Sequence, residues 1–164
     1  MVVTTLDRAR DVAGNVTDPE MPMLTLADLG VLRTVVLEGD RVVVTITPTY
    51  SGCPAMATMR DDLVHRLVDA GFEAEVRVSL SPPWSSDWIT PAGRAALVEH
   101  GISPPGAAPQ GPVRLSLLPT IRALACPRCG SREMELVSEF GPTACTALYR
   151  CGSCLEPVEH VKEI

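Results

Sequence analysis

The sequence predicts an α/β chain of α+β type, a small two-layer domain in the order helix, strand, strand, helix, strand, followed by a C-terminal four-cysteine module of zinc-ribbon kind. Three observations predict it. Amphipathic helical stretches and β-branched runs alternate up to about residue 80. A proline- and glycine-rich segment changes the composition at residues 103–112. Five of the six cysteines fall after residue 125.

Each element has its own signal. Residues 4–13, TTLDRARDVA, place Leu6, Ala9, Val12 and Ala13 at helical spacing behind a Thr cap, and Gly14 closes the helix. Residues 31–38 and 41–47 are rich in β-branched side chains, and EGDR between them supplies the tight turn of a hairpin. Past Cys53 and Pro54, Met56, Met59, Leu63, Leu67 and Ala70 recur every three or four residues, with charged residues opposite and Gly71 at the end, which predicts a second helix. Residues 73–80, EAEVRVSL, alternate strictly. Ala74, Val76, Val78 and Leu80 are expected inward and Glu73, Glu75, Arg77 and Ser79 outward, on a strand with one wet face. Thr90 caps a third helix that has Pro91 at its first position and Gly101 as its stop. The expected divisions are residues 1–102 for the first domain with its tryptophan-containing extension, 103–112 for a linker and 113–164 for the cysteine module.

Composition narrows the function. The 14 Lys plus Arg stand against 20 Asp plus Glu, a net charge of -6, which lacks the electrostatic footprint for nucleic acid or an anionic membrane. The opening MVVTTLDRARDV carries charges and no long apolar run, so neither a signal peptide nor a spanning segment is expected there, and a cytoplasmic location is. The chain has no Glu-x-x-His pair of the di-iron carboxylate type and no Gly-rich nucleotide fingerprint, so no catalytic constellation of its own is expected.

The cysteines carry the chemistry. Cys126 and Cys129, then Cys151 and Cys154, form two C-x2-C knuckles separated by 21 residues, a four-cysteine metal spacing in which each knuckle turns both thiolates toward one point. Zinc is the expected ion, and the same sulfur tetrahedron accepts iron. Cys145 is a fifth sulfur near a four-ligand site, read as a buried, inert thiol. Cys53 is expected at the N-cap of the second helix, with Pro54 at the first helical position. There amides and the helix dipole favour an anion and would lower its pKa, making it a nucleophile or a soft-metal ligand; the other reading is a small packed cap residue. His65 lies three turns down the helix, so no base is at hand and metal handling is preferred. Asp18 and Glu20 flank a proline in DPEMP, which reads either as a turn with solvated acids or as a ligand pair. Trp84, Asp87 and Trp88 sit in a proline-flanked loop, either as a core lid or as a docking patch for a partner. His65, His100 and His160 are scattered and expected at the surface.

Taken together, DPEMPMLTLADLGVLRTV, VTITPTYSGCPAMATMRDDL, LSPPWSSDWITPAGRAAL, CPRCGS and SEFGPTACTALYRCGSCLEP resemble the D-subunit family of the bacterial phenylacetyl-CoA oxygenase, also called 1,2-phenylacetyl-CoA epoxidase. The first half is similar to the wider domain of iron–sulfur cluster assembly and targeting factors, in which the DPE element and the cysteine before the second helix are marked positions. The resemblance implies an accessory role in aerobic phenylacetate degradation, helping to mature a metal centre, while the di-iron oxygenase and its reductase are other chains. By the match, Asp18, Glu20 and Cys53 carry the assembly signature and Cys126, Cys129, Cys151 and Cys154 carry the ribbon, while Cys145 also lies within a family motif and becomes a candidate for transfer. A transient iron or iron–sulfur cluster at Cys53 would draw further ligands from other subunits of the oxygenase complex or from a homodimer, since one thiolate cannot hold a cluster. No nucleic acid or membrane partner is implied. The alternatives are a zinc-ribbon docking subunit without metal transfer and a nucleic-acid-binding ribbon; the latter is weakened by the six basic residues and six Glu from residue 113 onward.

Overall fold

Residues 4–50, 52–109, 111 and 124–164 are described by the computed structural model. Helix α1 (Thr5–Gly14) begins at a reciprocal cap. The Thr4 hydroxyl accepts the Asp7 amide at 3.1 Å, and the Asp7 carboxylate accepts the Thr4 amide at 3.0 Å. Strands β1 (Leu32–Glu38), β2 (Arg41–Ile46) and β3 (Glu73–Val78) form a sheet of order β1-β2-β3, antiparallel between β1 and β2 and parallel between β2 and β3. The parallel pair is joined by helix α2 (Met56–Asp69), as a parallel connection requires. Met59, Leu63 and Leu67 on α2, Ala9 and Ala13 on α1, and Val42, Val44 and Ile46 on β2 are buried, so both helices cover one side of the sheet. Along the other side Arg41 pairs with Glu73 and Glu75, and Arg77 pairs with Glu38 and Glu75. The expected helix, strand, strand, helix, strand order and its two layers are therefore observed.

Two expectations for the first unit shift. The ladder from β3 makes one more bond, Ser79 amide to Ile46 carbonyl at 2.9 Å, and then the Ser79 hydroxyl turns to the Ser81 carbonyl at 2.8 Å. The strand therefore stops short of residue 80, and Val78 and Leu80 are 46% and 60% exposed rather than inward. Helix α2 starts at Met56 with Ala55 as its N-cap, so Cys53 is not the cap. Instead Cys53, Pro54, Ala55 and Met56 make a separate turn closed by the Met56 amide on the Cys53 carbonyl at 3.4 Å.

The tryptophan extension is fastened to the first unit. The Trp84 indole N–H donates to the Leu29 carbonyl at 3.0 Å and the ring is buried. Gly30, at φ 76°, lies so close to Trp88 that a Cβ there would stand 2.6 Å from the Trp88 Cβ and 2.8 Å from its carbonyl oxygen. Helix α3 (Pro91–Glu99) is capped as expected. The Thr90 hydroxyl accepts the Gly93 amide at 3.0 Å and donates to the Asp28 carboxylate at 2.7 Å.

The chain divides into two compact units, Met1–Gly93 and Arg94–Ile164. The second unit contains a sheet of β4 (Ile102–Ser103), β5 (Met134–Ser138), β6 (Thr146–Cys151) and β7 (Pro157–Val161), in the order β4-β7-β6-β5. The pairs β5–β6 and β6–β7 are antiparallel, and β4 adds in parallel with Ile102 opposite Glu159 and Ser103 opposite His160. Ser103 is buried, and the Arg94 guanidinium donates to the Pro105 carbonyl. Residues 110 and 112 of the expected linker, and 113–123 of the expected module, lie outside the described residues.

His65 and His100 are exposed as expected, whereas His160 is fully buried. Its Nδ1 lies 3.3 Å from the Ser103 hydroxyl and its Nε2 3.0 Å from Glu163 Oε1, which also accepts the Gly106 amide at 3.0 Å. Tyr149 stands edge-on to the imidazole at 5.8 Å between ring centres. This network ties β4 and the segment after it to β7. Burial pushes the Glu163 carboxyl up, but the His160 and Gly106 hydrogen bonds outweigh it and bring the group down to about 2.

Both packings can be probed by substitution. Replacing Gly30 by Ala sets a Cβ against the Trp88 backbone in left-handed conformation, and is expected to cost about 2 kcal/mol or more in chemical unfolding of the first unit. Because the Glu163 carboxyl titrates below its ordinary 4.5 when folded, its contribution is present above that pH and is lost as pH falls toward 2. Glu163→Gln should therefore lower the stability of the second unit by roughly 2 kcal/mol at neutral pH, and flatten its acid dependence between those values.

Candidate metal centre

The two knuckles fold alike. In the first, the Gly130 amide donates to the Cys126 carbonyl at 2.8 Å and the Cys126 amide donates to the Ser131 carbonyl at 2.8 Å. In the second, the Leu155 amide donates to the Cys151 carbonyl at 3.0 Å and the Cys151 amide to the Glu156 carbonyl at 3.0 Å. The residue after each pair is left-handed, Gly130 at φ 74° and Leu155 at φ 64°. Leu155 accepts a conformation that costs an L-residue roughly 1–2 kcal/mol, so the turn at the sulfurs overrides local preference.

These turns gather four sulfurs. Cys126 Sγ lies 3.7 Å from Cys154 Sγ, Cys129 Sγ lies 3.5 Å from Cys151 Sγ, and all four lie within 4.8 Å of one another. A tetrahedron of sulfurs bound at about 2.3 Å has edges of about 3.8 Å, whereas a disulfide needs about 2.05 Å. The separations therefore fit one shared ion and exclude paired disulfides. Cys126 and Cys151 are buried with Leu124, Ala147, Tyr149 and Val158, while Cys154 is half-buried and Cys129 exposed. The Cys154 and Ser153 amides point at the Cys151 sulfur and hold its thiol down at about 6, against burial. The Glu156 amide acts the same way on Cys154, but burial and the other three sulfurs push that thiol up to about 12. The Ser131 amide acts likewise on Cys129, yet the neighbouring Cys151 sulfur and burial leave it raised. Cys151 thus ionises readily while Cys129 and Cys154 resist, the behaviour of thiols whose charge a shared cation would complete.

The remaining expected site residues are elsewhere in the fold. Cys145 is buried outside the tetrad, 3.1 Å from the Thr143 hydroxyl, with its carbonyl accepting the Lys162 amide at 2.9 Å. Cys53 is half-buried in its turn, its amide donating to the Tyr50 carbonyl at 3.2 Å. The Asp18 carboxylate is buried and accepts the Glu20 and Met21 amides at 2.7 and 2.8 Å, so it holds the DPE turn from within. Glu20 is exposed, and partial desolvation followed by the Asp18 charge raises its carboxyl. Among the described residues Asp18, Glu20 and Cys53 do not converge as the four cysteines do. Asp87 is exposed and Trp88 half-buried; burial of Trp84 makes it a core residue, not a docking surface. Burial of His160 runs against its expected surface position, and the signal for it in the sequence is the two-residue spacing from buried Val158 on PVEHV.

Among the described residues no helix is long and apolar enough to cross a membrane. Removal of the ion should unfold the second unit alone. Chelation, or Cys129→Ser, is expected to abolish protease resistance after residue 124 while the far-ultraviolet signal and melting of the first unit persist. Because binding displaces thiol protons, metal affinity should fall as pH falls.

Comparison with known proteins agrees with this geometry. Residues 7–82 match the family described as iron-sulfur cluster assembly protein, and residues 111–162 match the PaaD zinc beta ribbon domain. A chain of Escherichia coli (strain K12) that is provisionally named as the D-subunit of 1,2-phenylacetyl-CoA epoxidase is 45% identical over 148 residues, which span 90% of this chain and 86% of that relative. The crystal structure of a domain of unknown function, DUF59, from Bacillus anthracis aligns with a TM-score of 0.52 at 27% identity, over 56% of this chain and 90% of that one. A conserved hypothetical protein of Thermotoga maritima aligns with a TM-score of 0.47 at 23% identity, over 58% and 96%. With an assembly-type domain, a four-cysteine ribbon and this identity along nearly its whole length, the chain belongs to the D-subunit family of 1,2-phenylacetyl-CoA epoxidase.

Proposed function

We propose that this chain is a non-catalytic maturation subunit of the phenylacetyl-CoA epoxidase complex, acting in the cytoplasm and assisting assembly of an iron or iron–sulfur centre through Cys53. The observation that carries this reading is the joining of an iron–sulfur assembly domain with a metal ribbon, in a chain 45% identical to a relative named as the D-subunit. The ribbon would hold zinc through Cys126, Cys129, Cys151 and Cys154. Four thiolates close the coordination sphere, so the ion cross-links the unit and offers no open position for chemistry.

The working residue then lies in the first unit. Cys53 stands in a turn that Pro54 stiffens, at the point where the chain leaves β2 for α2. Its cargo, iron or a cluster intermediate, would take one ligand from this thiolate and the rest from another subunit or a second copy, since a cluster needs several sulfurs. Asp18 would shape its own DPE turn, and Glu20 and Cys145 rank below Cys53 as transfer ligands because one is solvated and the other enclosed. Asp87 and Trp88 are the parts of the extension that a partner subunit would meet. A net charge of -6 supports protein partners over nucleic acid. The second reading, a docking ribbon without metal transfer, draws on the use of the Asp18 carboxylate to bind loop amides.

Cys53→Ser is the test, made in cells that carry the rest of the complex. The expected outcome is a folded variant with unchanged ribbon metal, an oxygenase complex depleted of iron, and no growth on phenylacetate. Normal iron content and normal growth would leave the docking reading standing.

A further inference from the structure

On the helix-free face of the first sheet, a cavity of about 250 Å³ opens beyond the carboxyl ends of the parallel strands β2 and β3. Ligands of open α/β sheets gather at such ends. It is lined by Arg33 and Pro82 and by the hydroxyl-bearing Thr34, Thr45, Thr47, Ser79 and Ser81, of which Ser79 already donates to the Ser81 carbonyl. Thr34 and Thr45 are cross-strand partners, and Thr45 and Thr47 share a face by strand alternation, so the hydroxyl set follows from the sheet itself.

Arg33 needs a separate cause, because consecutive residues on a strand point to opposite faces. The register of β1 against β2 slips between Leu32 and Thr34, and this bulge brings Arg33 and Thr34 to the same cavity. Bulges re-aim side chains in this way beside functional sites. The guanidinium is then held in place. Its carbon lies 3.6 Å from the centre of the Trp88 ring, and one nitrogen donates weakly to the Gly30 carbonyl at 3.4 Å. Arg41 and Arg77 on this same face are neutralised by glutamates. Among the described residues no carboxylate pairs with Arg33, and the hydroxyls of Thr34, Thr45 and Thr47 take no protein hydrogen bond, although Thr47 is only 2% exposed. Since no fully enclosed polar side-chain atom lacks a partner among the described residues, the Thr47 hydroxyl keeps its open edge toward the cavity.

From this we infer that the Arg33 cavity binds a small oxyanion, the phosphate or carboxylate group of a ligand whose remainder lies outside it. A pre-placed guanidinium offers paired donors that match such a group, and surrounding hydroxyls complete its hydrogen bonds. The volume is below the roughly 300 Å³ at which whole drug-sized ligands are enclosed, so only a headgroup enters. Binding at Arg33 is independent of the role of Cys53.

The test is an amide and arginine-side-chain NMR titration of the full, metal-loaded chain with inorganic phosphate and with acetate, against sodium chloride at matched ionic strength. Saturable shifts at Arg33, Thr34, Thr47, Ser79 and Ser81 with phosphate, acetate or both, absent with chloride, sustain the site; the preferred anion identifies its geometry. Arg33→Ala is expected to weaken that binding at least about tenfold, the scale of one charge-assisted hydrogen bond, and Arg33→Lys less. Because Arg33→Ala also removes the stack on Trp88, Thr47→Val gives an independent variant of nearly equal shape, expected to weaken binding several-fold. Shifts that chloride reproduces, or affinity unchanged in Arg33→Ala or in Thr47→Val, overturn the inference.

Discussion

Convergence of four thiolates on one point is the constraint on which the C-terminal unit depends. Among the described residues Cys126 and Cys151 are buried in one cluster with Leu124, Ala147, Tyr149 and Val158, so the ligands are themselves part of the core. An ion held by the four sulfurs would bond the turn before β5 to the turn after β6, and the ladder from β5 to β7 spans what it would join. The left-handed Leu155 is a measure of that dominance, since the backbone adopts a disfavoured state to repeat the Gly130 turn. The His160 network then secures β4 to the far side of β7 by polar contacts where the metal does not reach.

The first unit is organised by a different rule. Its β2–α2–β3 connection makes the two strands parallel, and so sends the loop bearing Cys53 out from the carboxyl end of β2. The cavity at Arg33 opens beyond this same end of the sheet. Helices cover one side, glutamates neutralise two arginines on the other, and the bulge at the start of β1 sets a third arginine apart. A structural ion in one unit and chemically equipped loops in the other give a division of labour consistent with an accessory role.

Much of this was legible because the signals were local. The T-x-x-D cap at Thr4, the EGDR turn, the spacing of Met59, Leu63 and Leu67, and the paired knuckles each depend on a few neighbouring residues. What was not legible depended on distant partners or on competing local turns. Cys53 fell outside the helix because Pro54 and Ala55 close a turn of their own before Met56. Ser103 joined a strand because β7, more than fifty residues later, offered an edge, and no composition rule foresees that. Trp84 went inside because the Leu29 carbonyl was there to receive its indole N–H. His160 was buried because Ser103 and Glu163 satisfy both ring nitrogens.

X-ray absorption at the metal edge, with metal analysis of protein purified without oxygen, shows most directly whether the four thiolates share a single structural zinc. About one zinc per chain is expected, in a single shell of four sulfurs at about 2.3 Å. A shell containing nitrogen or oxygen, iron in place of zinc, or sulfurs joined at about 2.05 Å would contradict it.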